Sequence, residues 1–309
     1  MKKIVILIFL VSLVLSLSAD QTTTGNENKH SLKPSKFNSV KTNLRQQESF
    51  SKKLPSKNSD YPADIKKIVD RNKIIAGILA DDKPPFIMTG KNGELYGVDI
   101  SLSKDIAKCL GIEIEFNRKA KSYPELLELA ACGEVDFIIS KISRTFDRAK
   151  KVRFTKPYII FRQALLLNKV YAVKNKIEEY PVTHLRSAKV KIGARLKTSY
   201  VDYAKEMFKN AEIIEGEWDE IVKKAIKGSI IAVMRDEYEI LKLLKKNPDY
   251  ALYLSVYVLK DKLDHISIAV PSSSSHLESW LNLYLETNEY KKNATDIINE
   301  YPEVFGMKE

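Results

Sequence analysis

The sequence predicts an α/β protein with mainly parallel sheets, built in two similar parts. Three observations carry this. From Lys66 onward, short apolar runs alternate with amphipathic helical stretches, and a parallel strand pair needs such a helical crossover between its members. The pattern restarts near residue 189. The 309 residues also fit two domains of roughly 100–200 residues each.

The elements follow in order. Ile74–Ala80 is a strand. Leu102, Ile106 and Leu110 share one helical face, and Gly111 stops that helix. Ile112–Phe116 alternates as a strand. Ser122 caps a helix through Ala131, with Pro124 in its first turn. Gly133 ends it, and Val135–Ser140 is a buried strand. Ala164–Val170 and Val190–Ala194 are further strands. A helix with Val201, Ala204 and Phe208 on one face comes next. Trp218–Ile226 is helical, Ser229–Met234 is a strand and Tyr238–Lys245 is helical. Ile266–Val270 is a strand, and two last helices run through Trp280–Leu285 and Ala294–Tyr301.

Ahead of this body stands a different kind of sequence. Lys2 and Lys3 precede an apolar run from Ile4 to Leu17, and Ser18, Ala19 and Asp20 follow. That is the layout of a secretory signal, and the run is short for a spanning helix of about 20 apolar residues. Residues 1–19 are therefore expected to be a cleaved export signal. An uncleaved segment would instead tether the protein to the membrane. No cysteine precedes Cys109, so lipid attachment at an N-terminal cysteine is not expected. Residues 20–60 are polar, aperiodic and interrupted by Pro34 and Pro55, and read as a flexible tether. The formal charge of +11 is spread over many lysines. Nucleic-acid binders concentrate such charge in a stripe or arm, so no nucleic-acid partner is expected. Cys109 and Cys132 each end a predicted helix on an opposite sheet face, which argues for two separate thiols.

Catalytic signatures such as G-x-S-x-G, H-E-x-x-H and the Walker A loop are absent. The histidines 30, 184, 265 and 276 lack ligand spacing, so no metal and no cofactor are expected. Other motifs stand out: Lys83-Pro84-Pro85-Phe86, Gly93-Glu94-Leu95-Tyr96-Gly97-Val98-Asp99, Gly133-Glu134-Val135-Asp136, and Thr145-Phe146-Asp147-Arg148 leading to Phe154-Thr155-Lys156-Pro157-Tyr158. In this order they resemble the bacterial family 3 solute-binding proteins of polar amino-acid uptake, over about residues 70–305. The resemblance implies a two-lobed periplasmic-binding-protein fold of type II, with a hinge between lobes. It places the first lobe at residues 66–166 plus 258–305 and the second at 167–257, with a ligand between them.

The site residues follow from the same resemblance. Arg148 stands where the family grips a carboxylate, and its planar fork makes two parallel hydrogen bonds that lysine cannot. Thr145 belongs to the same T-x-x-R element. Ser143 matches a contact to the ligand ammonium, and Asp236 the carboxylate that holds it. Thr198 and Ser199 open a second-lobe helix, a ready anion site. Tyr123 and Phe86 are expected against the ligand. The sequence departs from the family pattern at Lys83, Lys141 and Lys197, where aromatic or small residues are usual. Three ammonium groups around one cleft favour an acidic ligand.

The expected function is reversible capture of an amino acid or small carboxylate by an exported, periplasmic or extracellular monomer. Delivery to an ABC transporter permease is the usual outcome in the family. The alternatives are a sensing domain without transport, and a dehydratase-like enzyme on the same fold.

Overall fold

The computed structural model describes residues 61–305, and the expected export signal and tether lie outside them. In chain order the elements are α1 (Ala63–Asp70), β1 (Lys73–Gly77), β2 (Met88–Thr89), β3 (Leu95–Tyr96), α2 (Val98–Leu110), β4 (Glu113–Asn117), α3 (Tyr123–Ala131), β5 (Phe137–Ile138), α4 (Phe146–Ala149) and β6 (Val152–Asn168). Then come α5 (Lys169–Asn175), α6 (Pro181–Ser187), β7 (Lys191–Arg195), α7 (Ser199–Met207), β8 (Glu212–Gly216), α8 (Trp218–Ile226), β9 (Ala232–Asp236), α9 (Glu237–Lys246), β10 (Leu254–Pro271), α10 (Ser275–Thr287) and α11 (Ala294–Glu300).

Eight strands form one sheet in the order β4-β1-β5-β10-β6-β9-β7-β8. At each end lies a parallel trio, β4-β1-β5 and β9-β7-β8. Four of the seven pairings are parallel, as expected, and the middle is antiparallel. There β6 and β10 pair from Leu254↔Asn168 to Pro271↔Val152. Each long strand also closes one trio, β10 onto β5 and β6 onto β9. The β6–β10 register breaks between Val258 and Leu263, between the stretches that serve the two trios.

Side-chain alternation gives each trio two apolar faces. On the first, Ile74, Ala76 and α2 form one core cluster, while Leu126, Ala130 and Ile138 with α3 form another. On the second, Leu165, Leu167 and α7 pack on one face, and Leu166, Val233 and α8 on the other. Helices α2 and α3 thus belong to different clusters, and Cys109 and Cys132 near their ends are free and exposed. No helix among the described residues is long and apolar enough to cross a membrane.

Two differences from the sequence reading have clear causes. β5 is only two residues long because the chain leaves the ladder after Ile138. Beyond it, Ser140 accepts from the backbone N–H of Leu79 at 3.1 Å, and the N–H of Lys141 goes to Asp99 at 2.8 Å. β6 and β10 extend far beyond the apolar runs that betrayed them, because polar residues, Arg162 and Gln163 in β6 and Lys260–Lys262 in β10, interrupt their apolar pattern. The Gly133–Asp136 motif also has a local structural role. Asp136 is buried and accepts from the backbone N–H of Ile75 at 2.7 Å and from Arg71.

Gly97 holds the loop that carries Phe86. It has φ +117, and the N–H groups of Val98 and Asp99 just after it donate to the carbonyls of Pro85 and Phe86. A Cβ on Gly97 would lie 2.4 Å from the Pro85 oxygen. Gly93 also has positive φ, +82, but a Cβ there meets nothing within 4 Å. Gly93→Ala therefore costs only left-handed strain, about 1–2 kcal/mol. Gly97→Ala adds a clash with backbone and should cost at least twice as much in urea unfolding. Equal losses for the two variants would refute this account.

Candidate functional site

The cleft is built where the two trios face each other across the β6–β10 pair. Its first wall is the loop after β5. Asp99, fully buried in the first turn of α2, accepts from Tyr158 Oη at 2.8 Å and from the backbone of Lys141. Burial pushes the Asp99 carboxyl up to about 7, against these two hydrogen bonds. The anchored loop puts Lys141 in a left-handed backbone, φ +49.

From there the Lys141 side chain reaches the opposite wall. Its Nζ lies 3.1 Å from Asp236 Oδ2 and 2.8 Å from Glu239 Oε1. Both acids belong to the junction of β9 and α9. Asp236 ends the strand and caps the helix, accepting the Glu239 N–H at 2.9 Å. The Lys141 ammonium also stands 5.2 Å from the ring centre of Phe86 and 5.3 Å from those of Phe161 and Tyr238. Burial disfavours its charge, but Asp236 and Glu239 outweigh that and raise its pKa. Burial likewise opposes the charge of Glu239, yet Lys141, Lys242 and Arg235 hold it well below the usual carboxylate range.

A second link lies beside the first. Ser199, the first residue of α7, donates to Ser143 Oγ at 2.9 Å, and Ser143 donates to Asp264 Oδ2 at 3.1 Å. Tyr200 donates to the same oxygen at 2.8 Å, and Tyr203 to Oδ1 at 3.4 Å. Asp264 is 1% exposed. Burial and the charge of Asp236 raise its pKa, against the hydrogen bonds from Tyr200 and Ser143.

The other expected residues fall into three groups. Arg148 Nη1 donates to the Ser143 carbonyl at 2.9 Å, and its guanidinium stacks 4.9 Å from the Tyr123 ring centre. With Lys141, Ser143, Thr198, Ser199 and Asp236, these two line an inner void of about 10 Å³. Lys83 lines an adjoining cavity of about 370 Å³, which shares Tyr123, Lys141 and Arg235 with the inner void. Burial and the Arg195 charge lower its pKa. Phe86 and Thr145 line neither space. Phe86 is a core residue that meets the cleft only through the Lys141 ammonium, and Thr145 caps α4, accepting the Arg148 N–H at 3.3 Å.

Lys197 corrects the expectation of three cleft lysines. It occupies a left-handed turn before α7, φ +57, is exposed and lines neither space. The sequence reading also missed Arg235, Glu239 and Asp264. Arg235 is buried between the rings of Tyr200 and Trp218, at 5.4 and 5.7 Å. Asp264 carried a usable signal. It shares the inward face of its strand with Ile266, Ile268 and Val270, where a lone acid is out of place.

Comparison with known proteins places this geometry in a lineage. The L-cystine-binding protein TcyJ of Escherichia coli (strain K12) is 25% identical over 187 residues, which is 60% of this chain and 66% of that protein. The chain thus spans just under two thirds of that relative. The crystal structure of AncCDT-1, an ancestral amino acid-binding protein and precursor of cyclohexadienyl dehydratase, superposes with a TM-score of 0.57 at 25% identity, covering 77% of this chain and 98% of that one. The substrate-binding protein AbpA from Streptococcus pneumoniae, bound to L-arginine, gives 0.60 at 22% identity, covering 79% and 100%. The fold is therefore the two-lobed type II periplasmic-binding-protein fold. The family description "Bacterial extracellular solute-binding proteins, family 3" matches residues 75–303, the greater part of the chain, and the protein belongs to that family.

Proposed function

We propose that the protein is exported and reversibly captures a small acidic solute, an acidic amino acid or carboxylate, between its lobes for delivery to a membrane ABC transporter. One observation carries the reading. The Ser143–Arg148 segment, Ser199 and Asp236, three distant parts of the chain, converge on one small void. The relatives that bind amino acids support a small, amino-acid-like solute. The register break between Val258 and Leu263, opposite Ala164 and Arg162, supports a lobe division close to the expected 166/167 and 257/258.

The acidic character rests on charge. The larger cavity is lined by seven cationic side chains, Lys83, Arg195 and Lys242 among them, and only three acidic ones. Partly desolvated like charges favour a ligand that brings negative charge. Turnover on the dehydratase pattern has less support. Such an enzyme needs a general acid at the leaving group. Asp99, the carboxyl near neutrality, lines neither space, and Lys141 and Asp236 are engaged with each other.

Competition calorimetry tests the reading. L-glutamate, L-aspartate or a dicarboxylate should outbind L-arginine and L-lysine, and raised salt should weaken the anions more than neutral solutes. Tightest binding of a cationic or apolar amino acid would overturn it.

Arg148→Lys should leave the fold intact and cost on the order of 2–5 kcal/mol of binding, because a bidentate charge-assisted contact is lost. Unchanged affinity would assign Arg148 to the surface charge run.

Binding should also depend on pH through Lys83. Its pKa is depressed, so its ammonium discharges earlier than the ordinary 10.5. A bound anion favours the charged form and raises that pKa. Affinity is therefore full below the depressed value and falls as pH rises through it. Titrations from about pH 7 to about pH 11 should show this fall, and Lys83→Arg should remove it, since guanidinium stays charged. A flat wild-type profile would exclude Lys83 from the site.

A further inference from the structure

We infer that the cleft takes a small di- or polycarboxylate without an ammonium group, and that Lys141 is the residue that excludes α-amino acids. This deepens the proposed function and rests on its reading of the cleft as a site for acidic solutes. A bound ammonium needs a desolvated carboxylate of its own. The buried acids of the cleft are already committed. Asp236 and Glu239 hold the Lys141 ammonium, and Glu239 also holds Lys242 at 2.9 Å. Asp264 accepts three hydroxyls, from Ser143, Tyr200 and Tyr203.

The Lys141 ammonium sits in a complete cation site. Two carboxylates contact it and three aromatic rings surround it at 5.2–5.3 Å. The backbone is set for this. The Lys141 N–H is pinned to buried Asp99, which fixes where the side chain departs. The protein therefore supplies, on a tether, the cation that a zwitterionic ligand would bring. A second ammonium beside Lys141 would meet like charge, and the two carboxylates within reach there are already paired. A carboxylate meets Arg148 on one side and the cationic lining of the larger cavity on the other.

The test uses matched pairs differing only in the amino group. Calorimetry on the wild-type chain compares glutarate with L-glutamate and succinate with L-aspartate. The amine-free member of each pair should bind at least tenfold more tightly. In Lys141→Met, which vacates the cation site, that ratio should fall to one or reverse. L-glutamate binding wild type as tightly as glutarate would overturn this inference while leaving the acidic reading intact. An unchanged ratio in Lys141→Met would remove Lys141 from the discrimination. If that variant fails to fold, Lys141→Met combined with Glu239→Gln answers the same question with one buried charge fewer. Tightest binding of L-arginine, or of no anion in the panel, would overturn the acidic reading and this inference together.

Discussion

The antiparallel pairing of β6 with β10 is the constraint on which the other strands depend. Each parallel trio is open on one side, and an unpaired strand edge leaves a row of unsatisfied backbone groups. β10 closes one trio through Ala269↔Ile138, and β6 closes the other through Gln163↔Asp236 to Leu167↔Ala232. The two cores are therefore joined by two strands whose register breaks between Val258 and Leu263. The same geometry places the site. Asp236 lies on β9 opposite Gln163, and Asp264 lies on β10 opposite Phe161. Both carboxylates enter the cleft from the sheet beside that break.

Those buried acids dictate what surrounds them. Removing a carboxylate from water costs several kcal/mol unless it is paired and hydrogen-bonded. Asp264 is met by hydroxyls, and burial and the Asp236 charge raise its pKa, whereas Glu239 is met by three cations that hold its pKa well below the usual carboxylate range. The difference follows from the partners. Tyrosine and serine bring no charge, so burial prevails at Asp264. Lys141, Lys242 and Arg235 bring positive charge within reach of Glu239, so attraction prevails there.

Some of this was legible in the sequence. Trp218–Ile226 was readable as a helix to the residue, because Ile221, Val222 and Ala225 mark one face and Gly228 follows. The long strands were half legible. Leu165–Leu167 and Ile266–Val270 are apolar, but Lys260, Asp261 and Lys262 are charged and lie outside the expected strand although β10 runs through them. Aligned motifs pointed to the neighbourhood of Arg148, Ser143, Ser199 and Asp236 because motif order tracks the backbone. They did not give side-chain direction, which is why Lys197 was placed in the cleft while its turn leaves it exposed. Glu239 had a signal in hand: it stands three residues beyond Asp236 on a helix, so the two share a face. Arg235 had none, since a cation beside an acid at a strand end is ordinary surface chemistry until the sheet buries it.

The cross-cleft network also bears on how such a site releases its solute. An ion pair at about 4 Å gains roughly 4 kcal/mol at an effective dielectric of 20, while desolvating each partner costs several. The Lys141 cluster is thus close to neutral as a source of closing free energy, although truncating either side alone would leave a buried charge without its partner. A clamp of that kind aligns the lobes without locking them. The preference for closure then comes from the solute, through its differential interaction with the closed arrangement. The surplus cations supply that difference. Without an anion, burial and then the charge of Arg195 depress the Lys83 pKa. With an anion between them, the same charges attract a common partner. Asp236 and Glu239 hold the Lys141 ammonium in place, and on the proposed function the cationic lining of the larger cavity makes closure conditional on an anionic ligand.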